Sequence, residues 1–387
     1  MLASARTFAI EGLHARAVTV EVDIRPGLPA FAIVGLADAA VREARDRVHA
    51  AVLNSGYEFP ARRITANLAP ADVPKTGPGF DLAIACALLA ASGQISQELL
   101  DTHALFGELA LDGQVRACHG TLAVAEATSK AGLSTLVLGP PRAREATLVD
   151  GLEVGVAECL SSAARVLCGG APDPLPAPTR ARPASVRHAI DLADVRGLPH
   201  AVRSLTIAAA GAHNTLLSGP PGTGKTMLAQ RLPSILPPLT RTEAIEVTRI
   251  HSVTSGLPAG ELLCERPFRA PHHSITTAGL IGGARRGWVG EVVLAHNGVL
   301  FLDSLNPWSL DCGYEARWLL SRVAGPGSCR RVVYLPRPAA PADRRLGEAA
   351  WAHDRRMAHR PRPVGRQDES PWLHRDDAPR RERTDAG

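Results

Sequence analysis

The chain has 387 residues, of which 45% are hydrophobic and 21% are charged, the composition of a globular protein with room for two domains. Its longest apolar run, Phe80 to Gly93, is shorter than the roughly 20 residues that cross a bilayer, and Met1 to Arg16 lacks the uninterrupted apolar core of a signal peptide. The sequence therefore predicts a cytoplasmic protein without membrane contact.

The net charge of +5 lies almost entirely at the carboxyl end. From Arg331 onward, 13 arginines oppose 9 acidic residues, so the last 57 positions carry +4 and the remainder is nearly neutral. Net charge therefore gives no reason to predict that the folded part binds DNA. The seven cysteines include no C-x-x-C pair, which predicts reduced thiols rather than a disulfide framework or a zinc site.

Residues 1–167 alternate short strand and helix patterns, which predicts one α/β domain. Apolar and polar residues alternate from Ala17 to Ile24, as they do in a half-buried strand. A helical repeat follows, with Asp38 placed as its N-cap and Gly56 at its end. These signals predict a strand that is followed by an amphipathic helix.

Further patterns define the rest of this domain and its boundary. Phe80 to Gly93 predicts a buried helix, and Asp112-Gly113 between two alternating runs predicts a β-hairpin. Five prolines and two glycines lie within residues 168–185, which predicts an interdomain linker. Residues 186–305 then begin with a turn, a helix and the strand "NTLLSG", the start of a parallel nucleotide-binding sheet.

The segment "GPPGTGKT" fits the phosphate-binding pattern G-x-x-x-x-G-K-[ST], with an apolar strand before it and an amphipathic helix after it. Its glycines let successive N–H groups point at phosphate oxygens, and the following helix adds its positive end. In this motif Lys225 is predicted to supply a positive charge to the β and γ phosphates, and Thr226 is predicted to offer a hydroxyl group to magnesium. The predicted ATP-binding residues are Gly219, Pro220, Pro221, Gly222, Thr223, Gly224, Lys225 and Thr226.

The run "GVLFLD" predicts a second strand of the same parallel sheet, apolar on both faces and ending in Asp303. A carboxylate at the carboxyl end of such a strand lies beside the phosphate loop. Asp303 and Thr226 are therefore the predicted ligands of magnesium bound with ATP. Ser304 follows Asp303 where a second acid would be expected.

Two other groups of neighbouring residues could have a functional role. Adjacent histidines on a regular element point apart, and no further ligand stands at metal spacing, so His272-His273 favours a structural or DNA-facing role over a metal site. Arg285-Arg286 with Trp288 forms a small basic and aromatic tip, which fits either a nucleic-acid contact or a solvated hairpin end.

Here the sequence resembles the YifB/ComM family of magnesium-chelatase-like AAA+ ATPases. The likeness lies in "LADVRGLPHAVRSLTIAAAGAHNTLLSGPPGTGKTMLAQ", in "ERPFRAPHHSITTAGLIGG" and "GEVVLAHNGVLFLD", and in the amino-terminal "GLPAFAIVGLADAAVREARDRVHAAVLNSGYEFP". It covers about Met1 to Asp303. The family implies an amino-terminal ribosomal-S5-domain-2-like (Lon-type) α/β domain, a P-loop AAA+ domain that is incomplete in this chain, and assembly into a ring.

The resemblance also implies a DNA branch-migration motor that acts in recombination of incoming DNA. The family pattern is "FLDE", in which the last acid activates the attacking water, but Ser304 occupies this general-base position. The pattern of an asparagine-bearing sensor strand, an arginine finger or a lid domain is also missing. Hydrolysis is therefore expected to be impaired, and the alternative is a non-enzymatic nucleotide-binding remnant. The S5-like domain disfavours a dedicated magnesium chelatase subunit.

The Lon-type fold raises the question of peptidase activity. By resemblance, Gly79 stands at the position of the catalytic serine and Leu122 at that of the lysine. Neither side chain can act in a Ser–Lys dyad, so the sequence predicts that the chain is not a protease.

The sequence after Asp303 has no sustained strand or helix period. Residues 306–387 are rich in Arg and Pro, which predicts a largely disordered tail from about Pro336 onward. Such an abrupt change suggests a shifted reading frame or a degraded gene end.

Overall fold

The described part of the chain contains a seven-stranded sheet, a four-stranded sheet and two small two-stranded sheets, with helices packed around them, all within the unit Met1–Arg337. The structure is a computed structural model that describes residues 1–177, 190–220, 222–254, 262–272, 274–283, 288–305 and 331–336. For residues 288, 303–305 and 331–336 it describes the backbone alone. Several predictions fall outside these residues: those for Pro221, His273, Arg285-Arg286, linker residues 178–185 and the remainder of the tail.

The first sheet and its helices occupy the chain up to Leu167. In chain order the elements are β1 (Leu2–Glu11), β2 (His14–Arg25), β3 (Ala30–Val34), α1 (Ala39–Asn54), β4 (Arg63–Ala69), α2 (Asp81–Ala91), β5 (His103–Phe106), β6 (Glu108–Leu109), β7 (Val115–Arg116), α3 (Thr121–Lys130), β8 (Thr135–Leu138), α4 (Ala143–Ala146), β9 (Glu153–Val156) and α5 (Leu160–Leu167).

Seven of these strands form one sheet in the order β3-β4-β2-β1-β5-β8-β9. β2 is antiparallel to both β1 and β4, whereas the other neighbouring strands run parallel. This mixed, mostly parallel sheet confirms the α/β class predicted from the alternating patterns. The predicted hairpin is also present, because β6 and β7 pair antiparallel and Gly113 takes φ +85° in the turn between them.

Local sequence explains the elements at the amino end. Along β2, Val18, Val20, Val22 and Ile24 are buried, as the period of two predicts. Asp38 caps α1 by accepting a 2.8 Å hydrogen bond from the Val41 N–H. The predictions of this strand and this cap are both confirmed.

Helix α2 lies in the centre of the first core, as its apolar run predicts, and its first residue is a buried acid. Asp81 is fully buried and accepts hydrogen bonds from Arg47 Nε at 2.7 Å, from Arg47 Nη2 at 3.0 Å and from the Leu109 N–H at 3.2 Å. Burial raises the pKa of Asp81 to about 6 against the opposing effect of Arg47. The ion pair therefore joins α1, α2 and the β6 hairpin inside the core.

The second sheet begins after the linker. Its elements in chain order are α6 (Pro199–Ala210), β10 (Thr215–Leu216), α7 (Lys225–Arg231), α8 (Arg241–Val253), β11 (Phe268–Arg269), α9 (Thr277–Ile281), β12 (Gly282–Gly283), β13 (Trp288–Val289), α10 (Glu291–Leu294), β14 (Val299–Leu305) and β15 (Arg331–Pro336). Four strands form a parallel sheet in the order β10-β15-β14-β11. β12 and β13 form a separate two-stranded ribbon.

From Val299 to Leu302, strand β14 is buried on both faces, as its unbroken apolar run predicts. Val299 and Phe301 pack with α6 and α7 residues, whereas Leu300 and Leu302 pack with α9 and α10 residues. β15 lies between β10 and β14, so the segment predicted as a tail contributes a strand to the sheet. Among the helices that the structure describes, none is long and apolar enough to cross a membrane.

Candidate nucleotide-binding site

The glycine-rich loop lies between β10 and α7, as the motif predicts. Gly222 and Gly224 have φ values of +82° and +81°, a left-handed conformation that residues with a Cβ rarely adopt. Gly224 is also the N-cap of α7, so the loop leads directly into the positive end of that helix. Left-handed glycines of this kind let N–H groups point toward one side of a loop, as a phosphate-binding nest requires.

The Lys225 ammonium group lies across this loop. Its Nζ donates to the carbonyl oxygens of Gly219 at 3.0 Å and Pro220 at 2.8 Å, while the Thr223 hydroxyl also donates to Pro220 O at 2.9 Å. These contacts are exposed, and so is Thr226. The loop therefore presents a positive charge and a hydroxyl to solvent next to its glycines.

Strand register relates Asp303 to this loop. Leu216 of β10 pairs with Tyr334 of β15, and Tyr334 pairs with Leu302 of β14. Leu216 and Leu302 are thus at the same level, two strand spacings or about 10 Å apart. Asp303 follows Leu302 and the glycine-rich loop begins just after Leu216, so both lie at the carboxyl edge of the sheet, where ligands of such sheets bind.

The backbone of β14 is irregular at this point. Leu302 pairs with Tyr334 and Leu305 with Pro336, so β14 has one more residue than β15 over this stretch. The β-bulge contains Asp303 and Ser304. Bulges are common next to active sites, where they redirect a side chain.

Polar contacts from α8 hold the segment that precedes β14. Glu246 Oε2 accepts from Asn297 Nδ2 at 2.9 Å and lies 3.1 Å from His296 Nε2. Asn297 is buried and has φ +55°, and its carbonyl accepts from Arg266 Nη1 at 2.6 Å. Burial raises the pKa of Glu246, but the contacts with His296 and Asn297 outweigh this effect and leave the pKa below its ordinary value. Helix α8 therefore fixes the start of the strand that carries Asp303.

The same helix contacts the first sheet's helices at its other end. Ser252 is fully buried; its Oγ donates to Glu145 Oε2 at 2.6 Å, and its carbonyl accepts from the Gly120 N–H at 2.8 Å. Arg142 Nη1 donates to Glu145 Oε1 at 2.8 Å in the same buried cluster. Arg249 and Glu126 form a further ion pair at 3.0 Å. Helix α8 thus connects the first domain to the strand of Asp303.

His251 of α8 is expected to make the stability of the fold depend on pH. Burial lowers the pKa of His251, the Arg269 guanidinium lowers it further, and a hydrogen bond with the Leu294 backbone partly offsets both. Its Nε2 is buried and has no hydrogen-bond partner among the residues that the structure describes, so protonation would place a charged donor there. A depressed folded-state pKa means that His251 stabilises the fold fully above about pH 6.5 and progressively less as pH falls.

We expect His251→Asn to lose less unfolding free energy than the parent between pH 7 and pH 5. Urea unfolding at both pH values measures this difference. His200→Asn, which alters an exposed histidine of α6, is the matched control and should follow the parent. Identical pH dependence in all three proteins would contradict the assignment to His251.

The remaining predicted residues are placed as follows. His272 Nδ1 lies 2.7 Å from Ser274 Oγ, and no group of three potential metal ligands occurs among the described residues. A Cβ on Gly79 would lie 2.5 Å from Phe106 Cε2, and Leu122 is fully buried. A side chain at position 79 would therefore require Phe106 to move.

Comparison with known proteins gives the family. The family described as "Magnesium chelatase, subunit ChlI" matches residues 191–312, and "Subunit ChlI of Mg-chelatase" matches residues 20–141. The uncharacterised protein YifB of Escherichia coli is 45% identical over 304 residues, which is 79% of this chain and 60% of YifB. Competence protein ComM of Haemophilus influenzae is 44% identical over 297 residues, 76% of this chain and 58% of ComM. The chain belongs to the YifB/ComM family.

Membership in the YifB/ComM family confirms the resemblance drawn from the motifs. An uncharacterised protein of Mycobacterium tuberculosis is 44% identical over 312 residues, 80% of this chain and 61% of that protein. The chain thus spans about 60% of the length of the curated YifB/ComM relatives that it matches. The first family match includes the glycine-rich loop and Asp303, and it continues to residue 312.

Proposed function

We propose that this chain binds Mg-ATP at the loop Gly219–Thr226 and at Asp303, as the nucleotide-binding part of a motor that acts on DNA. The observation that carries the proposal is the position of this loop and Asp303 at one edge of a parallel sheet, in matching register. Membership in the magnesium-chelatase-like family supports ATP and magnesium as the ligands. The DNA partner, the ring assembly and a role in branch migration rest on family resemblance.

Each residue of the site has a definite task in this proposal. The loop N–H groups and the start of α7 would hold the phosphates, with Lys225 adding a compact positive charge that can exchange its loop carbonyl partners for phosphate oxygens. Thr226 and Asp303 would hold the magnesium ion. When bound, this ion neutralises charge on the phosphate oxygens. The left-handed glycines leave the loop open for this approach.

We expect Lys225→Ala to weaken Mg-ATP binding by about 10- to 100-fold, since a hydrogen bond to a charged group is worth about 1.5–3 kcal/mol. Isothermal titration calorimetry with purified protein measures the dissociation constant of Mg-ATP. Lys130→Ala, which removes an exposed lysine of α3, is the control and should bind as the parent does. Equal affinity of the parent and Lys225→Ala would remove Lys225 from the site.

The finer parts of the proposal concern fold and turnover. We assign an S5-domain-2-like fold to residues 1–167, a linker to 168–185 and an incomplete AAA+ core to 186–305.

Ser304 at the general-base position is the reason for impaired hydrolysis. A DNA motor predicts turnover that branched or single-stranded DNA stimulates. A nucleotide-binding remnant predicts binding without turnover, and a chelatase subunit predicts activity only with partner subunits and a porphyrin.

A further inference from the structure

The seven-stranded sheet has two edges, and the chain itself blocks one of them. Beside β9, the Asp173 N–H donates to the Val156 carbonyl at 2.9 Å, and Asp173 Oδ2 accepts from the Glu158 N–H at 2.8 Å. β3 forms the other edge, and within the described part of the chain it pairs only with β4. An uncovered edge strand offers its outer N–H and C=O groups to another strand.

Strand β3 presents the peptide groups of two residues to its free side. The Ala30 N–H donates to the Arg62 carbonyl, just before β4, at 3.3 Å, so the even-numbered residues of β3 point toward β4. The N–H and C=O groups of Phe31 and Ile33 consequently point outward from the sheet. The strand lacks the usual protections of an edge, since Ala30–Val34 contains no charged residue, no proline and no bulge.

The side chains of β3 lie on a covered face and an open face of the sheet. Phe31 and Ile33 pack against the first core, whereas Ala30, Ala32 and Val34 are exposed. A strand with one solvated face ordinarily alternates apolar with polar residues, but every residue of β3 is apolar. The open face of β3 is therefore an apolar strip at the edge of the sheet.

Exposed leucines extend this apolar strip at both ends of β3. Leu28 is 88% exposed and Leu36 is 64% exposed, and each lies four residues from Ala32. Leu36 also has φ +52°, a left-handed conformation that is unfavourable for a leucine. The apolar residues are thus placed symmetrically about Ala32, as a contact between two identical copies across a two-fold axis requires.

We propose that β3 pairs with β3 of a second copy of this chain, antiparallel and about a two-fold axis at Ala32. Phe31 of one copy then lies opposite Ile33 of the other, and the two residues exchange both of their peptide hydrogen bonds. The apolar strips of the two copies meet on one face of the joined sheet. Leu28 of each copy approaches the end of the strand that carries the partner's Leu36.

The observations favour a second copy over a different partner. β3 carries no charge that could select a charged peptide, whereas its apolar strip matches itself under the two-fold rotation. The β9 edge of a copy cannot pair with β3 along its length, because Asp173 already occupies the Val156 carbonyl. A contact between two β3 strands closes on itself, so it differs from the head-to-tail contacts of a ring. It uses no residue of the proposed nucleotide site.

Sedimentation velocity of the full chain over a dilution series, without ATP, tests this contact. The parent is expected to form a dimer. Ala32→Lys should raise the dimer dissociation constant by about 10- to 100-fold, because the axis places the two lysines directly opposite each other. Ala32→Glu should have the same effect. An equimolar mixture of the two variants should restore the dimer, since opposite charges then face each other across the axis.

Ala17→Lys is the matched control, because Ala17 is an exposed alanine of β2 in the same sheet, away from the β3 edge. It should dimerise as the parent does. Leu28→Ser combined with Leu36→Asn changes only exposed side chains and should also weaken the dimer, so it tests the contact even if a charge at position 32 unfolds the domain. A monomeric parent, or association that both the leucine and the lysine variants leave unchanged, would overturn the proposal. So would folded lysine and glutamate variants that stay monomeric when mixed.

Discussion

Replacing Ser304 by glutamate is expected to raise steady-state ATP hydrolysis by about 10²-fold or more. A positioned general base contributes about 10² to 10⁴ in rate, and a serine hydroxyl cannot take up a proton at neutral pH. Ser304 follows Asp303 within the β14 bulge, next to the carboxyl edge of the sheet where the glycine-rich loop begins. A glutamate there would restore the paired acids of the family pattern.

Phosphate release at saturating Mg-ATP measures this effect, with Ser304→Gln as the control. Glutamine has the size of glutamate and cannot act as a base at neutral pH, so it should turn over as slowly as the parent. Parent turnover on the order of 1 to 10 s⁻¹ would already refute impaired hydrolysis. Equal rates for the glutamate and glutamine variants would show that Ser304 is not at the general-base position.

Arg47→Ala is expected to destabilise the first domain by about 3–5 kcal/mol at pH 7, because it leaves a buried charge without its partner. Asp81 is fully buried and would lose two of its three hydrogen bonds. Urea unfolding measures the loss. Arg16→Ala breaks the exposed pair with Glu11 and should cost less than about 1 kcal/mol.

The cost of Arg47→Ala should also depend on pH. Burial already raises the pKa of Asp81 to about 6, and removal of the guanidinium raises it further. A raised folded-state pKa gives stability that is fully present below the ordinary aspartate pKa and is lost as pH rises through the folded value. The variant should therefore be closest to the parent near pH 4 and most destabilised at neutral pH. A penalty that is constant with pH would show that Asp81 is not the group responsible.

Local pattern was enough to predict the elements with strong periodicity. The alternation of Val18, Val20 and Val22 predicted their burial in β2, and Asp38 was identified as the cap of α1. Such signals depend on neighbours within one turn or one strand, so a single sequence contains them completely. The glycine-rich loop was found in the same way, because its φ requirements demand glycine at fixed positions.

The residues that link distant segments could not be predicted in this way. Ser252 and Glu145 are 107 positions apart, and Glu246 contacts His296 across 50. The burial of Lys75 could not be predicted from the local sequence either. Its side chain is fully buried, and its Nζ donates a hydrogen bond to the Pro70 carbonyl. No local pattern specifies such partners, since the chain brings them together only when whole elements pack.

By itself, the amino-acid sequence determined the α/β class, the family, the glycine-rich loop and the acid at the end of its companion strand. Tertiary structure decided that β15 lies between β10 and β14, and that α8 connects the first domain to the start of β14. The reason is physical: backbone preferences and hydrophobic periodicity act over a few residues, whereas strand order and side-chain contacts depend on which surfaces bury each other.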